Sequence, residues 1–203
     1  MVEQDLVEAY FEVNGFLVHS AGNSAITLTK RKFDPLTSIV VMNPRLNDNS
    51  LDSGVRLFSG DLQKIRTGIV GILGWTNSSF SPAVISNDTR QVKFLKQHLS
   101  KERVDDCFNR NFPIWEGDRS SFLKLLVVPS LPADNGKMKE ALEFVRSLGV
   151  EGVLTLRSIL ENLFRQTSPN LVKDLSSVFQ IIGLIKAYGL AKDPQMEIFK
   201  EAG

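Results

Sequence analysis

Leu123-Lys124-Leu125-Leu126-Val127-Val128 is a near-continuous apolar run, and the thirty residues after it decide the fold. Asp134 or Asn135 can cap a helix whose Met138, Ala141, Leu142, Val145 and Leu148 recur at helical spacing, and Gly149 supplies its stop. Val150–Leu154 then reads as a second apolar strand. A strand, a helix and a strand at this spacing predict a right-handed parallel crossover, with the first strand placed centrally in a sheet covered on both faces.

Upstream, Leu6, Val7, Tyr10, Phe11 and Val13 lie on one side of a helix between Glu3 and Asn14, with Glu8 and Glu12 opposite. Asn14-Gly15 ends it, and Phe16-Leu17-Val18 comes next as a strand. Ala25–Thr29 alternates like another strand. Ser38-Ile39-Val40-Val41-Met42, closed by Asn43-Pro44, and Ile69–Trp75 are further strands, with Pro82–Ile85 extending the latter or forming a short neighbour. Between them Arg45–Asp61, rich in Asn, Asp, Ser and Gly, predicts a long mobile loop. From Asp88 the pattern is helical. Val92, Leu95 and Leu99 share one face, and Arg90, Lys93, Gln97 and Lys101 share the other. A polar connection holding Asp105, Asp106 and Trp115 leads on to Leu123.

Downstream, a helix from about Thr155 to Gln166 carries Leu156, Ile159, Leu160, Leu163 and Phe164 on one side. Another, roughly Asn170 to Tyr188, is apolar over most of its circumference. Leu171, Val172, Leu175, Val178, Phe179, Ile181, Ile182, Leu184 and Ile185 exceed what one buried stripe needs, so a homodimer through this helix is expected.

Composition narrows the function classes. The 203 residues carry a net charge of +1, with 10 basic and 9 acidic side chains up to residue 100 and 14 of each beyond it. Neither half is a polybasic arm that would attract polyanions at long range. Cys107 is the single cysteine, which excludes an intrachain disulfide and a cysteine-built zinc site. Glu3, Asp5, Glu8 and Glu12 give the N-terminus the wrong charge for a targeting peptide, and no apolar run approaches a membrane span. The expectation is a cytoplasmic protein that does not engage membranes.

Known catalytic patterns are weak. Gly68, Gly71 and Gly74 lack phosphate-loop spacing and precede no helix. His19 and His98 adjoin no nucleophile motif and read as surface or packing residues. Asp105-Asp106 and Glu116-x-Asp118 read as solvated carboxylates. Arg90, Lys93 and Lys101, flanked by Lys96 and Arg103, form the best basic patch. It suits phosphate contact, and equally the wet side of an amphipathic helix.

The order helix, three strands, helix, strand resembles the αβββαβ core of the PD-(D/E)XK nuclease superfamily, the restriction-endonuclease-like fold. Leu6–Val18 is similar to the helix and G-F-x-V strand that open small members. Ser38–Pro44 resembles the strand whose first position holds the metal-binding Asp, and Ile69–Trp75 the strand usually written V-E-x-K-G-W. Gly152-Val153-Leu154 and Ile182–Gly189 also sound like that group. The resemblance implies an α/β fold with a mixed central sheet flanked by helices. By that resemblance the core is expected to span 1–130, with residues 131–203 as a C-terminal strand and two-helix extension packed on it as one compact domain.

In that superfamily an Asp and a Glu hold magnesium while a Lys serves the attacking water. By the resemblance those positions fall on Ser38, Gly71 and Leu73, which supply no carboxylate and no charge. The chain is therefore expected to be a catalytically inactive nuclease-like protein without a cofactor. It would act as a module that binds nucleic acid weakly through Arg90, Lys93 and Lys101, or binds a protein. The alternative is an active magnesium-dependent nuclease whose acids have migrated to Glu8, Glu12 or Asp61. Asp34 is a further acid near in sequence.

Overall fold

The computed structural model describes residues 2–20, 36–51, 55–74, 80–109, 121–168 and 176–191. Helix α1 (Val2–Val13) buries Val7, Tyr10 and Phe11 as its apolar spacing requires. It ends where Gly15 adopts φ 88°, a conformation that only glycine takes without strain. The Gly15 amide donates to the Glu12 carbonyl and the Phe16 amide to the Phe11 carbonyl, which satisfies the last carbonyls of the helix.

Phe16 then delivers the chain to strand β1 (Leu17–Ser20), which pairs antiparallel with β2 (Thr37–Met42). β2 pairs antiparallel with β3 (Thr67–Ile72), and β3 runs parallel to β4 (Leu123–Val128), which runs parallel to β5 (Gly152–Thr155). The spatial order β1-β2-β3-β4-β5 is also the order in sequence. β4 is interior as expected, although β3 is the middle strand.

Side-chain alternation sends each strand's residues to two layers. Ile39, Val41, Val70, Ile72, Leu125 and Val127 meet α1 together with α6 (Leu156–Gln166) and α7 (Ser177–Ala187). Val40, Ile69, Leu73, Leu126 and Val128 meet α3 (Asp88–His98), α4 (Lys101–Phe108) and α5 (Asn135–Ser147). Helices α3 to α5 share one face because both parallel crossovers turn the same way. The protein is thus α/β, and its described residues form an open mixed sheet of five strands flanked by helices.

Several expectations are corrected. Pro82–Ile85 is a one-turn helix, α2, rather than a strand, because Pro82 stands at its start, where proline needs no amide and has its φ already set. The helix expected to run from Asp88 through Lys101 breaks at Leu99, whose backbone is extended (φ −113°, ψ 124°). Ser100 starts α4 by accepting the Arg103 amide at 3.2 Å, so Asp105 and Asp106 sit on a helix and not in a connection.

The segment read as a free loop is tied down wherever it is described. The Asn49 side-chain oxygen accepts the Arg66 and Thr67 amides at 2.7 and 3.1 Å, and the Ser50 amide donates to the Lys64 carbonyl at 2.9 Å. The Leu57 amide donates to the Val153 carbonyl (2.8 Å), and the Val153 amide donates to the Val55 carbonyl (2.6 Å), which lines the outer edge of β5. A 3₁₀ helix, η1 (Ser59–Lys64), leads back into β3. The expected strand at 25–29, Asp34, Trp75, Trp115, Glu116, Asp118 and the segment 170–175 lie outside the described residues. No helix among the described residues is long and apolar enough to cross a membrane.

Candidate functional site

β2 and β3 place Ser38 directly opposite Gly71, so position 38, position 71 and, two residues on, position 73 share the sheet face that α4 covers. The sequence-derived trio is therefore brought together, but inside the protein. Ser38 is 1% exposed and Leu73 2% exposed. A Cβ at Gly71 would lie 2.9 Å from the Cys107 sulfur and 3.5 Å from a Leu126 methyl. The volume in which a position-71 side chain would stand is thus filled by Cys107 of α4. Past the end of β3, the Leu73 amide still donates to the Val127 carbonyl at 2.9 Å, so the parallel pairing continues through the trio.

Magnesium binds an octahedron of oxygens and keeps several waters. A serine hydroxyl, a glycine without room for a side chain and a leucine packed in an apolar layer do not fit that ion. Burying such a charge without carboxylate partners costs many kcal/mol.

The alternative acids lie on the opposite face of the sheet, with α1 and η1. Glu8 accepts hydrogen bonds from Gln4 (2.7 Å) and from the Ser20 hydroxyl, which fastens α1 to β1. Glu12 is exposed. The Asp61 carboxylate accepts the Phe58 amide at 2.9 Å and closes the first turn of η1. Among the described residues no three His, Cys, Asp or Glu side chains converge in a way that could hold a metal.

The basic patch divides at the helix break. Arg90 and Lys93 remain exposed on α3, whereas Lys101 begins a separate helix. Its ammonium pairs with Asp105 at 2.9 Å and donates to the Leu148 carbonyl at 3.1 Å, which caps the C-terminal end of α5. Lys96 pairs with Glu140 at 2.7 Å. Glu140 is held down at about 2 by hydrogen bonds from Lys137 and from Lys96. Arg103 donates to the His98 carbonyl. The His98 ring lies against Phe94, and burial together with the Arg103 charge pushes its pKa below the usual value. His19 stands on β1 opposite Val40.

Sequence reasoning missed three polar positions. Glu3 is buried at the head of α1, its carboxylate 3.1 Å from where a Cβ would stand at Gly74. Asp88 accepts the Ala133 and Asp134 amides at 3.0 Å each and ties α3 to the start of α5. Tyr10 is buried, with its hydroxyl beside Ser59 but outside hydrogen-bond geometry, and burial pushes its pKa up to about 12. An acid in the first helical turn or a Tyr in an apolar stripe is ordinary in a sequence, so nothing there marks these three out.

A cavity of about 590 Å³ opens at the beginning of the parallel strands, between Phe108, Asn109, Phe122, Lys124 and Glu151. Open α/β sheets take ligands instead at the strand C-termini, where the strand order reverses, and among the described residues the order of the five strands contains no reversal. No family model matches this chain, and no curated protein or solved structure matches it either.

Proposed function

We propose that this chain is a nuclease-like α/β protein whose catalytic centre has become packed core, and that it works as a binding module rather than a phosphodiesterase. The Cys107 sulfur standing in the space of a position-71 side chain carries this reading, since it removes the volume along with the ligand. The succession α1, three strands, the α2–α4 helices and β4 supports the nuclease-like assignment, as does the adjacency of β2 and β3. A protein partner is favoured over nucleic acid. All four cations are exposed, but Lys96 and Lys101 share their charge with Glu140, Asp105 and a backbone carbonyl, so Arg90 and Lys93 contribute most of the positive field of the patch.

The test is an assay of the purified protein on linear, nicked and branched DNA and on RNA, with Mg²⁺ and with Mn²⁺. No cleavage is expected, because phosphodiester hydrolysis needs charge neutralisation and an activated water. Any binding to nucleic acid should be weak. With two contributing cations it should fall about tenfold between roughly 50 and 200 mM salt. Metal-dependent cleavage that vanishes in Glu8→Ala or Asp61→Asn would overturn the reading and show that the acids had migrated.

A further inference from the structure

We infer that Asn135 is a site of spontaneous covalent modification, where the side-chain carboxamide is lost as ammonia and the start of α5 gains a carboxylate. The sequence has two Asn-Gly pairs, Asn14-Gly15 and Asn135-Gly136. Glycine lacks a Cβ, so its amide nitrogen stands open to the side chain before it. The two pairs are alike in sequence, and the fold separates them.

Asn14 is locked in place. Its side-chain amide donates to the Tyr10 carbonyl at 2.7 Å and to the Asn162 side-chain oxygen at 3.2 Å, and its own oxygen accepts from Gln166 at 3.2 Å. The Gly15 amide donates to the Glu12 carbonyl at 2.9 Å as part of the α1 stop. Asn135 and Gly136, by contrast, are both exposed and are the first two residues of α5. A helix has no internal acceptor for its first amides. The Asp134 cap takes the Lys137 amide at 2.9 Å, and the Met138 amide donates to the Asp134 carbonyl at 2.8 Å. Neither bond uses the Gly136 nitrogen. To bring its side chain over that nitrogen, Asn135 must leave its helical backbone angles. That move breaks the Asp134 cap and one backbone bond, whereas Asn14 would have to break its whole amide network.

The Gly136 nitrogen gives its proton to hydroxide and bonds to the Asn135 side-chain carbon, whose bond to Nδ2 breaks. The departing nitrogen takes a proton from water and leaves as ammonia, and a cyclic imide closes. Water then opens the ring at either carbonyl. One opening gives aspartate, and the other gives isoaspartate, in which the main chain runs through the former side chain. Water is consumed, ammonia is released and nothing is oxidised. The net charge of the chain falls from +1 to zero. Aspartate at this position complements the helix dipole, while isoaspartate lengthens the backbone of the first turn and breaks the spacing on which the Asp134 cap depends. Asp88 of α3 accepts the Ala133 and Asp134 amides, so the new charge arises in the layer that carries Arg90 and Lys93.

Incubation of the full chain at mildly alkaline pH, followed by peptide mapping, tests this. Peptides holding Asn135 should gain the mass difference between OH and NH₂ and separate into aspartyl and isoaspartyl products, while those holding Asn14 stay unchanged. In guanidinium chloride both pairs should convert at similar rates, because only the fold sets them apart. Asp134→Ala should speed the reaction of the folded chain roughly 2- to 30-fold, the factor that an N-cap's stabilisation represents. Gly136→Ala should slow it about fourfold or more, since Ala holds the first turn more firmly than Gly. A folded chain whose Asn135 stays intact while the denatured chain converts would overturn the inference, as would Asn14 reacting as fast as Asn135 in the folded protein. The Ser38–Gly71 centre takes no part in this chemistry, so the two readings stand or fall separately.

Discussion

At position 71 the residue type is set by its neighbour, because the Cys107 sulfur occupies the space that a side chain would need. Gly71→Ala should destabilise the protein by about 1–3 kcal/mol, since the added methyl meets sulfur at less than contact distance and β3 cannot retreat from β4. Cys107→Gly should relieve much of that cost, so the two changes should be strongly non-additive in urea denaturation; simple additivity would show that the contact does not matter. Tyr10 makes a second residue-scale prediction. Its pKa is raised in the folded state to about 12, so the unfolded chain releases the phenolic proton first as pH rises past 10. Stability is intact below pH 10 and falls by about 3 kcal/mol as pH climbs towards 12. Tyr10→Phe should flatten that alkaline loss, and it should cost little at neutral pH because no hydrogen bond is given up. Urea midpoints of the two proteins at pH 9 and pH 11 provide the check.

Among the elements, the break between α3 and α4 matters most for what this surface can bind. Ser100→Ala should cost about 0.5–2 kcal/mol by removing the hydroxyl that accepts the Arg103 amide, measurable as a shift in denaturation midpoint at constant slope. The apolar positions Val92, Leu95 and Leu99 keep helical spacing right up to the break, which is why periodicity alone runs straight through it. The local signal is Ser100 three residues before Arg103, a capping position hidden inside a periodic pattern. Elsewhere pattern and structure agree for a physical reason. In α1 and α5 one strong period coincides with one buried face and a glycine marks the exit, while β2, β3 and β4 stand out as near-continuous apolar runs because both of their faces are covered. Pro82–Ile85 is too short to carry any period. Within the candidate site, the pairing of Ser38 with Gly71 is legible because both strands are apolar and adjacent in order. The plug is not, because Cys107 arrives from a distant helix and a lone cysteine carries no pattern.

Across the whole molecule, the sheet joins two kinds of construction. β1, β2 and β3 form an antiparallel meander, whereas β3, β4 and β5 are parallel and depend on crossover helices. The trio at positions 38, 71 and 73 lies on the seam between these halves, where the strands are covered on both faces, and so its close packing strengthens the middle of the sheet. Both helical layers face water through charge and salt bridges, such as Lys96–Glu140 on one side and Arg157–Glu161 on the other, and the second layer ends in α7 with Ile181 and Leu184 exposed.

The strand edge formed by Val55 and Leu57 on Val153 ties chain order to time. During synthesis these residues leave the ribosome long before β5 (Gly152–Thr155) exists, and Leu57 then has no buried place to go. The growing chain must carry that apolar segment unpaired until the last strand docks, since domains are completed only as their final elements emerge. Docking of β5 thus closes the β2–β3 connection and the sheet edge in one late step, and it exposes the nascent protein to misassembly for as long as translation of the second half lasts.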